Sequence, residues 1–440
     1  MPYPYSPFSN NFNTHIIFTL KDDNSQNEIQ NIIVKSLQWL CTFPKITSFR
    51  VNTTKTTREN VIQEIKKHFL NVETENILEH PTLTEVIILK HQDLESQVLP
   101  RHKNEIIVDT ECASAILRGA NVYAPGVLAM LSGTHLGDNV SIYADEHKKC
   151  KKGFAKIFNE GSKIFIGNGI VRKTRHDLFG ENEKSNGIAI EVTERISGCP
   201  QISDDLIPTG WALLQNLPSI ICVKNLNPQK NDIILDMCAA PGNKTTHIAA
   251  LMENSGTLIA IDKTPKKVEQ LARTCTAFGA QVKAFQADSA KIRNSNLSEY
   301  STIMNGPPFA DNSFDKILLD APCSALGKRP QLVNKTSEKI IRSYVPLQRK
   351  LFETAVHLLK PGGTLVYSTC TITLGENEGI VAWALKNFDC LTLQKPDLYM
   401  GGHGWLGTNL AEEDRLKVQR FGPDQEIDSV GFFIACFKKY

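Results

Sequence analysis

Apolar and polar positions follow two patterns along the chain. In the C-terminal half, short apolar runs alternate with segments of helical period, the pattern of an α/β fold. Ile233-Ile-Leu reads as a buried strand, broken at Pro241 and Gly242. Thr245 to Met252 carries one apolar face and reads as a helix ended by Gly256, and Leu258 to Ile261 is a second buried strand running into Asp262. Such a strand–loop–helix–strand unit crosses over right-handed and makes a parallel pair. Trp211 to Leu217 is expected as a short helix, Pro265 to Phe278 as a helix and Val282 to Phe285 as a strand. The polar stretch Ser289 to Asn312 reads as a loose loop, and Phe314 to Asp320 as a strand. Pro346 to Leu359 is expected as a helix stopped by Pro361-Gly-Gly363. Thr364 to Tyr367 is a strand and Glu376 to Leu385 a helix. The last strand, Gly431 to Phe437, should lie beside the Val366 strand.

The N-terminal part opens on an arm, Met1 to Asn13. A helix follows from Asn27 to Thr42, with Ile29, Ile32, Ile33, Leu37 and Leu40 on one face. Ser48 to Asn52 and Val86 to Leu89 read as strands, Thr57 to Leu70 as a helix, and Leu99 to Asn104 as a linker. From Glu105 to about Arg195 the pattern changes. Short β-rich runs (Val140 to Tyr143, Lys163 to Ile166, Gly169 to Val171, Gly187 to Val192) are separated by glycines, and a short helix spans Cys112 to Arg118. That spacing suggests a small, separate, mostly β barrel. We therefore divide the chain into 1–103, 104–196 and 197–440.

Five expected strand ends carry ligand-type or reactive groups: the Gly242 loop, Asp262, Asp288, Asp320 with Cys323, and Cys370. In an open α/β sheet these ends line the ligand crevice. The loop from Cys238 through Ala239, Ala240, Pro241, Gly242 and Asn243 to Lys244 has one glycine and two small alanines. It is not the G-x-G-x-x-G fingerprint, which serves a pyrophosphate. An acid about twenty residues beyond the loop glycine suits a ribose. Asp262 for ribose and Asp288 for an adenine amine fit S-adenosylmethionine, a cation without pyrophosphate. Lys244 is expected near the cofactor or target base.

Asp320-Ala-Pro-Cys323 and Ser368-Thr-Cys370 suggest covalent base chemistry. A thiolate added at carbon 6 of cytosine makes carbon 5 nucleophilic. Asp320 can polarise the base, and a second cysteine can help release the product.

Net charge is +2 over 440 residues, so a nucleic-acid site must come from local clustering. Lys148, Lys149, Lys151, Lys152, Lys156, Lys163, Arg172, Lys173 and Arg175 form such a cluster, with Glu160 the acid among them. Tyr123 is either a base-stacking ring or a core aromatic. The eleven cysteines show no C-x-x-C pair, which argues against a disulfide framework and a zinc site. There is no apolar run of membrane-spanning length and no signal peptide, and a cytoplasmic setting is expected.

Val108-Asp109, Ala113 to Leu117 and Arg118-Gly-Ala-Asn-Val-Tyr-Ala-Pro-Gly-Val resemble the opening of a PUA domain, an RNA-binding module. With the Cys238–Lys244 loop, Asp320-Ala-Pro-Cys323 and Thr369-Cys370-Thr-Ile, the whole chain resembles the NSUN (Sun-domain, Fmu-like) family of RNA cytosine-5 methyltransferases, in its PUA-containing, tRNA-directed branch. The resemblance implies a Rossmann-like S-adenosylmethionine-dependent domain with an inserted PUA barrel. It implies Cys370 as nucleophile, Cys323 as the release cysteine, and the loop, Asp262, Lys267, Asp288, Asp320 and Lys244 as cofactor and base contacts. It further implies methylation of tRNA near the acceptor end, with the PUA module gripping the CCA end through residues such as Tyr123, Lys149, Lys151, Lys152, Arg172, Lys173 and Arg175. Messenger RNA stays open as a substrate, and a monomer is expected.

The sequence departs from the family in two places. Gly242-Asn243-Lys244 replaces Gly-Gly-Lys, and Asn243 is expected to tolerate left-handed geometry. Cys323-Ser-Ala325 replaces Cys-Ser-Gly. The competing reading is a catalytically inactive RNA-binding scaffold of the same fold. Methylation of DNA or a small molecule, and a thiol hydrolase, are more distant alternatives.

Overall fold

The computed structural model describes residues 26–68, 76–94, 98–159, 163–180, 185–203, 205–297, 303–334, 336–423, 425 and 428–440. The expected N-terminal arm, Leu70 and Glu160 lie outside them. Three sheets organise the chain.

A small antiparallel sheet contains β1 (Ile46–Val51), β2 (Ile77–Glu79) and β3 (Val86–Lys90). Its fourth strand, β10 (Ala212–Leu214), pairs with β1 from far along the chain. The helix expected over Trp211 to Leu217 is therefore corrected. Ala212 to Leu214 is an edge strand, and the helix begins at Leu217 and runs to Leu226, with Pro218 in its first turn. Proline fits there because that turn's N–H groups lack intrahelical partners anyway.

Between these strands lies a six-stranded sheet with its own core, in the order β5-β9-β8-β7-β4-β6. It comprises β4 (Asn104–Val108), β5 (Val122–Tyr123), β6 (Val127–Met130), β7 (Asn139–Asp145), β8 (Lys163–Val171) and β9 (Ile188–Arg195). The two runs read as Lys163 to Ile166 and Gly169 to Val171 are one strand, β8. Gly167 and Gly169 sit where a Cβ would strike the β9 backbone, so these glycines permit close strand approach rather than mark turns.

The large sheet has β11 (Ile233–Asp236), β12 (Thr257–Asp262), β13 (Lys283–Gln286), β14 (Phe314–Asp320), β15 (Leu359–Thr369), β16 (Leu391–Gln394), β17 (Gln419–Phe421) and β18 (Phe432–Lys439). The order is β13-β12-β11-β14-β15-β18-β16, with β17 also on β18. The first five are parallel, and β18 pairs antiparallel to β15 with Val366 opposite Cys436, the expected neighbour. Both faces are covered, which is why the strands read as continuous apolar runs. Leu235, Ile259, Ile317, Leu365 and Tyr367 pack on one side with Phe352 and Ala355 of the helix Glu338–Leu358. The alternate residues Ile234, Leu258, Leu318 and Val366 pack on the other with Ile220, Ile221 and Ile248.

Two further expectations are revised. The helix read from Pro346 starts at Glu338, capped by Ser337, and Pro346 lies inside it. Burial of Ile341, Leu351, Phe352 and Val356 outweighs the one hydrogen bond that proline forfeits. Pro361-Gly-Gly363 is not a stop outside the sheet. It falls within β15, where Phe314 pairs with Leu359 and Lys316 already with Thr364, a bulge. Within Ser289 to Asn312, Ile292, Phe309 and Ala310 are buried, so the described part of this segment is anchored rather than loose.

Candidate active site

The parallel strands deliver their last residues to one edge. Asp236 closes β11, Asp262 closes β12, Asp288 follows β13, Asp320 closes β14 and Cys370 follows β15. The loop after β11 turns at Gly242, whose φ of 108° favours glycine, and the helix Asn243–Leu251 begins at once. Asn243 is helical, so the left-handed demand expected of it falls on Gly242 instead. Its carbonyl accepts from Arg50, whose guanidinium also reaches Gln215 and Thr246. Arg50 is fully buried, and burial pulls it down to about 9.

Asp262 is 5% exposed and accepts from the N–H of Ala240 at 3.2 Å and of Lys263 at 2.7 Å. Lys267 Nζ lies 3.6 Å from it. Asp288 caps a short turn, accepting from Ala290, and pairs with Lys263 at 3.0 Å. The hydrogen bond from Lys263 holds its carboxyl below the ordinary value. Cys238 lines the loop with its thiol pushed well up by burial. Sequence reading passed over Asp236, which is fully buried, accepts from Thr245 at 2.7 Å and leaves Oδ1 without a partner. Burial lifts it to about 7.

The reactive pair sits one strand over. Lys244 Nζ donates to Asp320 Oδ2 at 2.7 Å, and Ser368 Oγ donates to Oδ1 at 2.7 Å. Burial works against the Lys244 charge, but Asp320 together with Cys222 and Cys370 outweighs it and the ammonium is held above its ordinary value. Cys323 and Cys370 are free thiols with their sulfurs 3.4 Å apart, well beyond a disulfide bond. Their loops are knitted together: Gly327 N donates to Cys370 O, and Ser324 Oγ lies 2.7 Å from Thr371 Oγ1. The hydrogen bond from Cys323, with help from Lys244, holds Cys370 below its ordinary value, whereas that same contact and burial push Cys323 well above. The pair thus contains one thiolate-prone sulfur and one proton-bearing sulfur, placed beside a polarising acid. That arrangement can add to an activated ring carbon and then manage a proton.

The expected basic cluster is partly spent on structure. Lys149, Lys151 and Lys152 are exposed, and Tyr123 is 46% exposed, so it is not a core ring. Arg172, expected to face RNA, donates from Nε and Nη2 to the single oxygen Oε2 of Glu191. Arg175 donates to the carbonyls of Met130, Gly153 and Phe154 and lies over Phe179, so its guanidinium is a strut of the sheet. Acceptors within the fold thus already meet both forks. Lys163 likewise pairs with Glu105. Lys173 is half-buried.

Comparison with known proteins bears on this geometry. The profile of the 16S rRNA methyltransferase RsmB/F family matches residues 223–438. The mouse protein named tRNA (cytosine(72)-C(5))-methyltransferase NSUN6 is 42% identical over 424 residues, covering 90% of this chain and 87% of its own. Its human namesake is 40% identical, covering 97% and 94%. The chain belongs to the RsmB/F-type RNA cytosine-C5 methyltransferases. A crystal structure of NSun6 from Pyrococcus horikoshii with SFG superposes with a TM-score of 0.73 at 32% identity, covering 94% of each chain. Membership makes this an S-adenosylmethionine-dependent methyltransferase, as the sequence led us to expect.

The residues present fit that cofactor. Carboxylates at Asp262 and Asp288 accept from hydroxyls and amines, the acids suit a sulfonium, and the small Ala239 and Ala240 keep the loop low. Sequence reading missed Glu376, Ser324, Ser368 and Gln348, which surround the cysteines. The polar run Glu376-Asn-Glu378 after Cys370 was the available signal, and it reads equally well as a helix start. Asn377 precedes the helix Glu378–Asn387 without capping it, its side chain bonding instead to Thr369 and Thr371.

Proposed function

We propose that this RNA cytosine-C5 methyltransferase acts on tRNA at the acceptor end, at the cytosine 72 for which its relatives are named. Messenger RNA is a second substrate to be tested in the same assay. The observation carrying the catalytic part is the 3.4 Å Cys323–Cys370 pair beside Asp320 and Lys244. The Cys370 thiolate adds to carbon 6 of the cytosine. Asp320 hydrogen-bonds the ring edge and stabilises charge formed on addition. Lys244 and Ser368 hold that carboxylate in place. When bound between the Cys238–Lys244 loop, Asp262, Lys267, Asp288 and Asp320, S-adenosylmethionine supplies the electrophilic methyl that carbon 5 takes. Cys323 then gives its own proton to water and, as thiolate, takes the carbon 5 proton; carbon 5 and carbon 6 regain their double bond, and Cys370 leaves as thiolate.

The segment 104–196 serves as a PUA module, with 1–103 and 197–440 forming the catalytic part. Lys149, Lys151, Lys152, Lys173 and Tyr123 meet the CCA end, with phosphate contacts supplying affinity and the ring a stacking surface. The protein works as a monomer in the cytoplasm, where its thiols stay reduced. No described helix is long and apolar enough to cross a membrane.

The test is methyl transfer from labelled S-adenosylmethionine to tRNA by wild type, Cys370→Ala and Cys323→Ala, scored on denaturing gels. We expect Cys370→Ala to be silent and Cys323→Ala to accumulate a covalent protein–RNA adduct. Methylation by Cys370→Ala would overturn the assignment.

A further inference from the structure

Glu376 is wholly buried at the back of the cysteine pair. Its carboxylate accepts four hydrogen bonds: from Ser324 N at 2.9 Å, Ser324 Oγ at 2.6 Å, Gln348 Nε2 at 3.0 Å and Thr373 Oγ1 at 2.7 Å. Ser324 adjoins Cys323, and Thr373 lies three residues beyond Cys370. Gln348 also donates to Pro322 O, on the other side of Cys323, at 3.0 Å. All four donors are neutral, so hydrogen bonds rather than a counter-ion hold this carboxylate. Both of its oxygens serve as acceptors twice, which is the pattern of an ionised group. The Glu376 carbonyl accepts in turn from the buried Tyr367 hydroxyl at 2.6 Å.

We infer that Glu376 is the positioning residue of the cysteine pair: it laces the Cys323 loop to the Cys370 loop and sets a buried negative charge behind Cys323, so the proton shared by the two sulfurs resides on Cys323. The inference rests on the roles proposed above for the two cysteines. A charge in a dry site acts strongly on its neighbours. Here it disfavours a thiolate at Cys323, which keeps its proton and donates it in a hydrogen bond to Cys370. The directions agree, since Glu376 is among the groups raising Cys323 and is not among the main influences on Cys370. Two sulfurs in contact compete for one proton, and a negative charge behind one of them biases the proton toward it. Glu376 touches neither substrate nor reacting atom; it works through Ser324 and Cys323.

Glu376→Gln separates charge from lacing. The amide oxygen can still accept from Ser324 N and Gln348, and its NH₂ can donate to the two hydroxyl oxygens. The full-length protein is labelled with limiting iodoacetamide over a pH series, and the Cys370 and Cys323 peptides are quantified by mass spectrometry. In wild type we expect Cys323 to take about a tenth of the Cys370 label or less, because one pKa unit is a tenfold population difference. In Glu376→Gln the Cys323 share rises severalfold and its labelling midpoint moves down. Glu376→Ala, which also unlaces the loops, brings both midpoints toward the ordinary thiol value of 9.0. Turnover by Glu376→Gln falls by about tenfold, with KM for tRNA little changed, as for loss of proton management alone.

A wild-type partition and midpoint in Glu376→Gln would overturn the inference, even if stability fell. Should that variant not fold, Thr373→Val carries the test: it deletes one of four donors and keeps the charge, so Cys323 must still take about a tenth of the Cys370 label or less, and a Cys323 share that reaches the Cys370 share overturns the inference. Methyl transfer by Cys370→Ala would instead remove the cysteine roles themselves, a distinguishable failure.

Discussion

At the scale of single residues, charges around the site push its two thiols in opposite directions. Lys244 helps to hold Cys370 below its ordinary value. Removing that cation should therefore raise the pH at which Cys370 becomes a thiolate. We expect Lys244→Gln to shift the pH–rate profile of covalent adduct formation upward, in addition to any loss of rate at the plateau. A profile unmoved from wild type would refute the electrostatic role. Asp236 makes an opposite kind of statement. Its folded value of about 7 lies above its ordinary 3.8, so the folded state binds the extra proton between those values. Stability from this group is present at low pH and is lost as pH rises through about 7. Asp236→Asn should lack that loss, and thermal unfolding of both proteins on either side of this window checks it. Ala325 explains one departure from the family pattern. Its φ of 56° is a glycine-favouring conformation, two residues after Cys323. Ala325→Gly should stabilise the protein by about 1 kcal/mol, read by denaturant unfolding, because the left-handed penalty of a Cβ exceeds the entropy of the added glycine.

At the scale of elements, the strands supply precision and buried ion pairs hold the loops between them. Arg420 of β17 lies against Glu378 at 2.5 Å, donates to Ile372 O and lies over Trp405. Glu378 is wholly buried, and so it stands at the start of a helix that follows the Cys370 loop with its charge answered. Arg420→Met removes one member of a buried pair and should cost about 3–5 kcal/mol. Chemical denaturation measures this, and a loss within experimental error of zero would mean that the pair is not what holds the loop. Pro346 teaches the same lesson in reverse. A helix that contains a proline persists because its apolar face is buried along most of its length.

At the scale of the whole molecule, the segment following Cys323 touches the first helix, the β-rich segment and the C-terminal part of the chain. Arg329 donates to the carbonyls of Trp39 and Thr42 at the end of the first helix and to Asp428. Its own carbonyl accepts from Arg118, and Pro330 O accepts from Ser114, both from the β-rich segment. Leu332 packs in that segment's core. The β-rich segment and the cysteine loop are thus joined by the ten residues from Cys323 to Leu332. Arg118→Ala should leave S-adenosylmethionine binding, read by calorimetry, near wild type while lowering kcat on tRNA. Exposed lysines act differently. Reversing Lys149, Lys151 and Lys152 should weaken tRNA binding and flatten its salt dependence, by about 0.7–0.9 in log–log slope for each phosphate no longer neutralised.

The sequence by itself determined much of the catalytic sheet and the reactive edge. Short apolar runs ending in Asp262, Asp320 and Cys370 and alternating with helical segments read as buried parallel strands, and a parallel sheet gathers their ends by topology. The glycine loop and the two cysteine motifs were legible for the same reason: each is local in the chain. What needed long-range contacts was decided only by tertiary structure. Trp211 to Leu217 split into a strand and a helix start because β1, some 160 residues earlier, offers Ala212 to Leu214 a partner. Pro346 stayed helical because a core covers it, and Pro361-Gly-Gly363 became a bulge because β14 lies alongside. Arg172 and Arg175 carry no partner in the sequence pattern, and the fold brings them to Glu191 and to backbone carbonyls. Glu376 looked like the first residue of a helix. Only folding brings Ser324, Gln348 and Thr373 around it, since a hydrogen bond depends on distance in space and a pattern records distance along the chain.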